Sequence, residues 1–215
     1  VSASSLLELT GTQKDRSPGD VYAGGMEIEI AHLVVSPVRR MDGRPRDGMT
    51  PYDGDETPSS VRVRAHKGLV GDRYFNTRFT YASVTMIAAE QIEALEAQIA
   101  GDGLFPAGNT PFDPVLARRN IVTRGLDVDA LVRCTFTLDA GHGPIRFRSI
   151  TPANPCAWMN EVFAPGAHQA MRGHGGIRCE PLDDGELSVG PAVVTDVEPI
   201  PQDELTRQVR RAPIA

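Results

Sequence analysis

The sequence predicts a mainly β domain with peripheral helices, closed into a β-barrel. Three observations predict it. About seven or eight short segments read as strands, against two or three helices. The strands do not alternate regularly with long helices, which disfavours a doubly wound parallel sheet and favours a barrel. The 21 glycines and 17 prolines require many turns. A length of 215 residues suits one domain with a sizeable core.

The elements follow in order. Residues 1–25 read as a polar N-terminal arm, with a short helix around Ser5 to Leu9. Residues 26–200 form the domain, and residues 201–215 a polar, basic tail. Met26 to Val35 alternates Glu27, Ile28, Glu29, Ile30 and then turns apolar, which predicts a strand ended by Ser36-Pro37. Val38 to Ser60 is rich in Gly, Pro, Asp and Arg and reads as a long loop, of the kind that forms lids or mobile segments. Val61 to His66 alternates strictly and predicts a strand; Lys67 to Arg73 reads as a turn.

Ala82 to Ile87 reads as a strand. Ala88, Ile92, Leu95 and Ile99 then fall at helical spacing, so Ala88 to Ala100 is an amphipathic helix packed outside the barrel. Asp102 to Pro114 is a loop, and Val115 to Val122 embeds Arg118-Arg119-Asn120. Asp127 is placed to cap a short helix through Leu131. Phe136 to Leu138 and Ile145 to Ile150 pair as a hairpin around Gly141-His142-Gly143-Pro144. Pro165 to Arg172 reads as a short helix with Gly173 just past its end. Leu187 to Gly190 and Val193 to Val197 complete the strands.

Composition excludes several function classes. Hydrophobic content of 40% and charged content of 23% are those of a globular protein. A net charge of -6 argues against a general nucleic-acid binder. No run approaches the roughly 18 apolar residues of a membrane helix. Val1 to Asp20 lacks the pattern of a signal peptide, and an odd cysteine count favours a reducing cytoplasm.

Of the three cysteines, Cys134 and Cys179 read as small buried hydrophobes. Cys156 differs. It follows Pro152-Ala153-Asn154-Pro155, a stiff and irregular segment. Further on, Arg172-Gly173-His174-Gly175-Gly176 places three glycines in four residues, where backbone amides can approach a ligand. A thiol followed by cationic, glycine-rich backbone points to a pocket for an anion that sulfur touches.

These stretches, taken in order, resemble the MOSC domain family, named for the C-terminal domain of molybdenum cofactor sulfurases. The resemblance covers roughly Ile28 to Val197. It rests on the strand into Ser36-Pro37, on Gly68-Leu69-Val70-Gly71-Asp72-Arg73 and on Arg118 to Asp127. It continues through Pro155-Cys156, Arg172 to Ile177 and Leu187-Ser188-Val189-Gly190. It implies a MOSC-type β-barrel and a single cysteine, here Cys156, that binds molybdenum in a pterin cofactor or carries sulfur. Some relatives reduce N-hydroxylated compounds with separate electron-transfer partners. The sulfurases join this domain to a pyridoxal-phosphate desulfurase; no such domain or Schiff-base lysine motif is apparent here, so no pyridoxal phosphate is expected. The loop 38–60 is longer than the family pattern, and Ala153-Asn154 replaces its Glu-containing form.

The chemistry can be weighed beside the family. Metal ligation and sulfur transfer both need a soft, anionic ligand. Cationic neighbours favour the thiolate. Lys67, Arg73, Arg119, Arg124, Arg172 and Arg178 are candidates for that field and for holding a cofactor phosphate, together with Gly173, Gly175 and Gly176. Solvated surface charge is the alternative for each arginine. Asn120 is a candidate cofactor-orienting partner or a sheet-edge residue. His174 is the candidate for proton transfer, more than His66, because it sits between glycines. Trp158 and Met159 are expected to pack the barrel mouth.

Three function classes stay open: a molybdenum-pterin reductase of N-oxygenated compounds; a cofactor-free sulfur carrier or carbon–sulfur enzyme using Cys156; and a noncatalytic anion- or cofactor-binding module. The expected partners are a small-molecule substrate and an electron-transfer or desulfurase protein, with no nucleic acid and no membrane.

Overall fold

The computed structural model describes residues 25–101 and 111–205. The arm helix around Ser5 to Leu9 and most of the 102–114 loop and the C-terminal tail lie outside the described residues.

Seven strands close a barrel in the order β1 (Met26–Leu33), β10 (Gly190–Pro199), β6 (Cys134–Asp139), β7 (Pro144–Pro152), β8 (Ile177–Pro181), β4 (Val84–Ala88) and β5 (Ile121–Arg124). All neighbours are antiparallel except β4 and β5, which run parallel with Met86 opposite Ile121. β2 (Ser60–Arg64), β3 (Gly68–Leu69) and β9 (Gly185–Ser188) form a separate sheet, and their Val61, Val63, Leu69 and Leu187 join the barrel's own core.

Period-two alternation decides which side chains fill the barrel. On β1, Ile28 and Ile30 point in while Glu27 and Glu29 stay out. On the β6–β7 hairpin, Phe136 and Phe147 are cross-strand partners whose rings stack 5.6 Å apart. Each buried phenylalanine contributes about 2–3 kcal/mol. Cys134 and Cys179 lie among these apolar side chains, at 2% and 0% exposure. The expected mainly antiparallel barrel is the one observed.

Helix α1 (Ala89–Gly101) packs on the outside through Ala89, Ile92, Leu95 and Ile99. It covers Ile87 and Val122, which face outward from β4 and β5. The same layer takes in α2 (Trp158–Val162) and α3 (Ala167–Ala170) through Trp158, Met159 and Ala167. Trp158 and Met159 therefore pack outside the barrel wall, beside α1. The short helix expected from Pro165 is shorter than its sequence pattern: Gly166, at φ 93, turns the chain into α3.

Two strands were not legible as such. β3 is only two residues long and sits inside a glycine turn; β8 ends in proline and follows three glycines. The expectation of a lid or mobile segment at 38–60 also changes. Glu56 accepts from Arg118 Nη2 at 2.6 Å and from Arg40, while Val35 N donates to its carbonyl at 2.8 Å. Met41 and Met49 pack against the helical layer. A carboxylate shared by two guanidiniums and two anchored methionines fasten this loop. Among the described residues no helix is long and apolar enough to cross a membrane.

Candidate functional site

The Cys156 loop is held by its backbone. Ala153 N donates to Gly176 O at 2.7 Å, and Met159 N donates to Cys156 O at 2.9 Å. The buried Trp158 and Met159 follow at once, so the loop is anchored on both sides while Cys156 itself is exposed. Proline at 155 stiffens the approach.

Arg119 joins this loop to the glycine segment. Arg118, at φ 56, reverses the chain after the Pro114–Ala117 turn, so the two arginines diverge. Arg118 goes to Glu56. Arg119 donates from Nε to Gly175 O at 2.9 Å, from Nη2 to Ala153 O at 3.0 Å and from Nη1 to Ala117 O at 3.1 Å. All three acceptors are neutral carbonyls. The surroundings depress the Arg119 guanidinium to about 10, first by burial and then by Arg178 and Arg73, with Cys156 and Tyr74 opposing. Arg119, Arg73, Arg178 and Cys156 thus share one electrostatic neighbourhood. Arg178 donates to Pro152 O at 3.0 Å, on the same loop. Among the described residues, Asp72 is the carboxylate bonded into this cationic group, at 3.4 Å from Arg73 Nη1.

Gly175 and Gly176 are buried close approaches. A Cβ on Gly175 would overlap Ala153 O, and one on Gly176 would overlap Met86 O. This close backbone packing ties β4 and the Cys156 loop to the glycine segment; Gly176 N donates to Asp129 Oδ1 at 3.1 Å. Gly173, at φ 85, faces open space beside the exposed Arg172. His174 is exposed, with Nδ1 3.5 Å from Asp129 Oδ2. Burial raises the Asp129 carboxyl above its ordinary value, against the Gly176 amide and His174.

Asn120 stands apart from its neighbour Arg119. Its Nδ2 donates to Val34 O at 3.0 Å and to Asp72 Oδ2 at 3.1 Å; its Oδ1 accepts from Thr85 N and Oγ1 at 3.0 and 2.9 Å. At 2% exposure, the amide spends its whole hydrogen-bonding capacity inside the protein. Its role is to orient Asp72, which in turn accepts from Tyr74 N at 2.9 Å and sets the Arg73–Tyr74 pair.

Two candidates lie elsewhere. Arg124 ends β5, whereas Arg119 precedes its start, and Arg124 pairs with Glu93 at 2.7 Å. A wide, shallow groove beside it is lined by Glu27, Glu29, Asp139 and Pro191, none of them from the Cys156 neighbourhood. Lys67 is exposed on the β2–β3 turn, within the field of Asp184.

Sequence reasoning missed Asp72, Tyr74, Asp129 and Arg39. The Arg39 guanidinium lies 5.6 Å from the Tyr74 ring centre, and Arg73 lies 4.9 Å from it. The Gly-Asp-Arg-Tyr run was the available signal for the first two. Nothing local marks Asp129 or Arg39. Among the described residues, no cluster of three or more His, Cys, Asp or Glu could hold a metal ion.

Comparison with known proteins agrees with this architecture. The chain is similar to the solved structure of the YuaD protein from Bacillus subtilis, at 14% identity and TM-score 0.58, covering 79% of this chain and 96% of that one. It is also similar to YiiM from Geobacillus stearothermophilus, at 14% identity and TM-score 0.51, covering 79% and 75%. No curated protein matches the sequence. The MOSC domain model matches residues 65–194, more than half of the chain and most of the barrel, so the chain belongs to the MOSC domain family.

Proposed function

We propose that the protein binds a molybdenum-pterin cofactor with Cys156 as the sulfur ligand and reduces N-hydroxylated or otherwise N-oxygenated compounds. One observation carries this reading. Cys156, the exposed cysteine, lies in the electrostatic field of Arg119, a half-buried arginine whose hydrogen bonds go only to carbonyls, with two further guanidiniums in the same field. A cation partly withdrawn from water and bonded to no carboxylate favours an anion that completes it.

The residues fit such a group. Cys156 offers the soft thiolate that molybdenum requires. Arg119, Arg73 and Arg178 match an anionic, phosphate-bearing ligand, because guanidinium forks pair with phosphate oxygens. When bound, the metal supplies the two-electron redox chemistry. The chain's own part is to hold and orient. Arg119 fixes the Cys156 loop against the glycine segment, Asp72 and Asn120 aim Arg73, and the fastened 38–60 loop brings Arg39 to Tyr74 at the rim. The reading implies a small-molecule substrate, a separate electron-transfer protein and a reducing compartment, the cytoplasm, that keeps Cys156 as a thiol.

Elemental analysis with intact mass spectrometry after gentle purification tests it. Stoichiometric molybdenum in the wild type, lost in Cys156→Ser while the fold persists, supports the proposal. A metal-free protein whose Cys156 gains sulfur mass from a desulfurase replaces it with the sulfur-carrier reading, in which a desulfurase is the partner. A protein that takes up neither, and binds anions equally well without the thiol, is a noncatalytic binding module.

A further inference from the structure

Asp129 is a half-buried carboxylate, bonded to the glycine segment behind the Cys156 loop, that the site as described leaves without a task. Its Oδ1 is taken by the Gly176 amide. Its Oδ2 is buried and has no hydrogen-bond partner, and the His174 ring lies 3.5 Å away at Nδ1. A buried carboxylate oxygen left in this state is destabilising unless a donor turns to it. The Nδ1–H of His174 is the donor within reach.

The ring is also tied to the Cys156 loop. Gly175, next to His174, is clamped to Ala153 by Arg119, and a Cβ built on Gly175 would sit 3.1 Å from Pro155 Cδ and 3.2 Å from Pro155 N. His174 and Cys156 therefore each lie one residue from the same point of contact. Consecutive Cα atoms are about 3.8 Å apart, so the two residues stand within roughly a dozen ångströms of each other. A proton-transfer role requires a ligand on Cys156 to come within hydrogen-bond reach of the imidazole, directly or through one water.

We propose that Asp129 is a positioning residue for His174, and that His174 Nε2 is the proton donor to the departing oxygen of the substrate. The inference rests on the reductase reading above. In the reduction of R–NH–OH, the N–O bond breaks, two electrons enter from an external reductant, and the oxygen leaves as water. His174 Nε2 gives the proton that makes the leaving group water, and solvent gives the second proton, to nitrogen. Asp129 stabilises the imidazolium before transfer. Afterwards it retains the Nδ1–H tautomer, so the same Nε2 is left free to accept the next proton. His174 is 59% exposed, which lets solvent resupply it.

Other charged groups share the neighbourhood. Asp127 acts on Asp129, Arg172 lies on the His174 segment, and Arg178 and Cys156 both act on Arg119. The test must isolate the dyad from them. Two readouts do so. In histidine-labelled protein under alkaline conditions, ¹⁵N NMR is expected to show His174 protonated on Nδ1. In Asp129→Ala it is expected on Nε2, the usual tautomer of a free imidazole. With benzamidoxime as substrate and dithionite as reductant, His174→Ala is expected to lower kcat about a hundredfold with KM and molybdenum content unchanged. Asp129→Asn is expected to lower kcat about tenfold, and His174→Gln not to rescue.

An unchanged tautomer in Asp129→Ala overturns the positioning role. Full kcat in His174→Ala overturns the donor role. A wild type with neither molybdenum nor turnover sinks the reductase reading and the donor role with it, while the tautomer measurement still decides the positioning.

Discussion

Replacing Asn120 with alanine separates a structural hub from a cofactor-binding residue. The side chain makes four internal hydrogen bonds, to Val34 O, Asp72 Oδ2, Thr85 N and Thr85 Oγ1. Truncation strands the Thr85 amide and the Val34 carbonyl in a region where Asn120 is 2% exposed. Each stranded buried group costs about 1–3 kcal/mol. Asp72 loses one donor but keeps Ser36 N, Tyr74 N and Arg73, so its share is smaller. The expected loss is about 3–5 kcal/mol, or roughly 6–20 °C in Tm for a chain of this size. Urea denaturation with tryptophan fluorescence measures it, since Trp158 is buried. Asn120→Asp is expected to be no milder, because it sets a second carboxylate where the amide donated to Asp72. A loss below about 1 kcal/mol, together with abolished ligand binding, would refute the hub and return Asn120 to the ligand.

Other outcomes follow from the same contacts. Gly176→Ala is expected to cost about 3 kcal/mol or more, because Gly176 has φ 81 and its Cβ would overlap Met86 O, whereas Gly173→Ala meets nothing and costs only about 1 kcal/mol of left-handed strain; thermal melts compare them. Under native conditions iodoacetamide is expected to label Cys156, while Cys134 and Cys179 react only after unfolding, since both are buried and burial pushes their thiols up; peptide mass spectrometry reads the sites. Glu180 is buried, and although burial opposes it, Arg148 and His66 hold its carboxyl below the ordinary 4.5. Its stabilisation is therefore fully present above that value and lost as pH falls through the lower folded one, so Glu180→Gln is expected to flatten the acid limb of a stability–pH profile. Glu56→Ala is expected to release the 38–60 loop from Arg118 and Arg40, read as faster amide exchange at Val35 and Thr50.

The sequence by itself determined the barrel, the outer helix and the division of the cysteines. Alternation at Ile28 and Ile30, or at Phe136 and Leu138, states which side chains are buried, because a strand's faces follow a period of two. The spacing of Ile92, Leu95 and Ile99 does the same for a helix. Cys134 and Cys179 sit within such apolar patterns, and Cys156 sits in a proline loop. These are local signals, and local structure obeyed them. Barrel closure decided the rest. It set Arg119 against carbonyls 34 and 56 residues away, and Arg124 of the same run at the far end of the strand. It spent Asn120 on Asp72 and Thr85, made Gly175 and Gly176 points of contact, and put Asp129 under His174. No periodicity encodes those meetings, because they depend on which strand ends are brought to the same rim when seven strands join edge to edge.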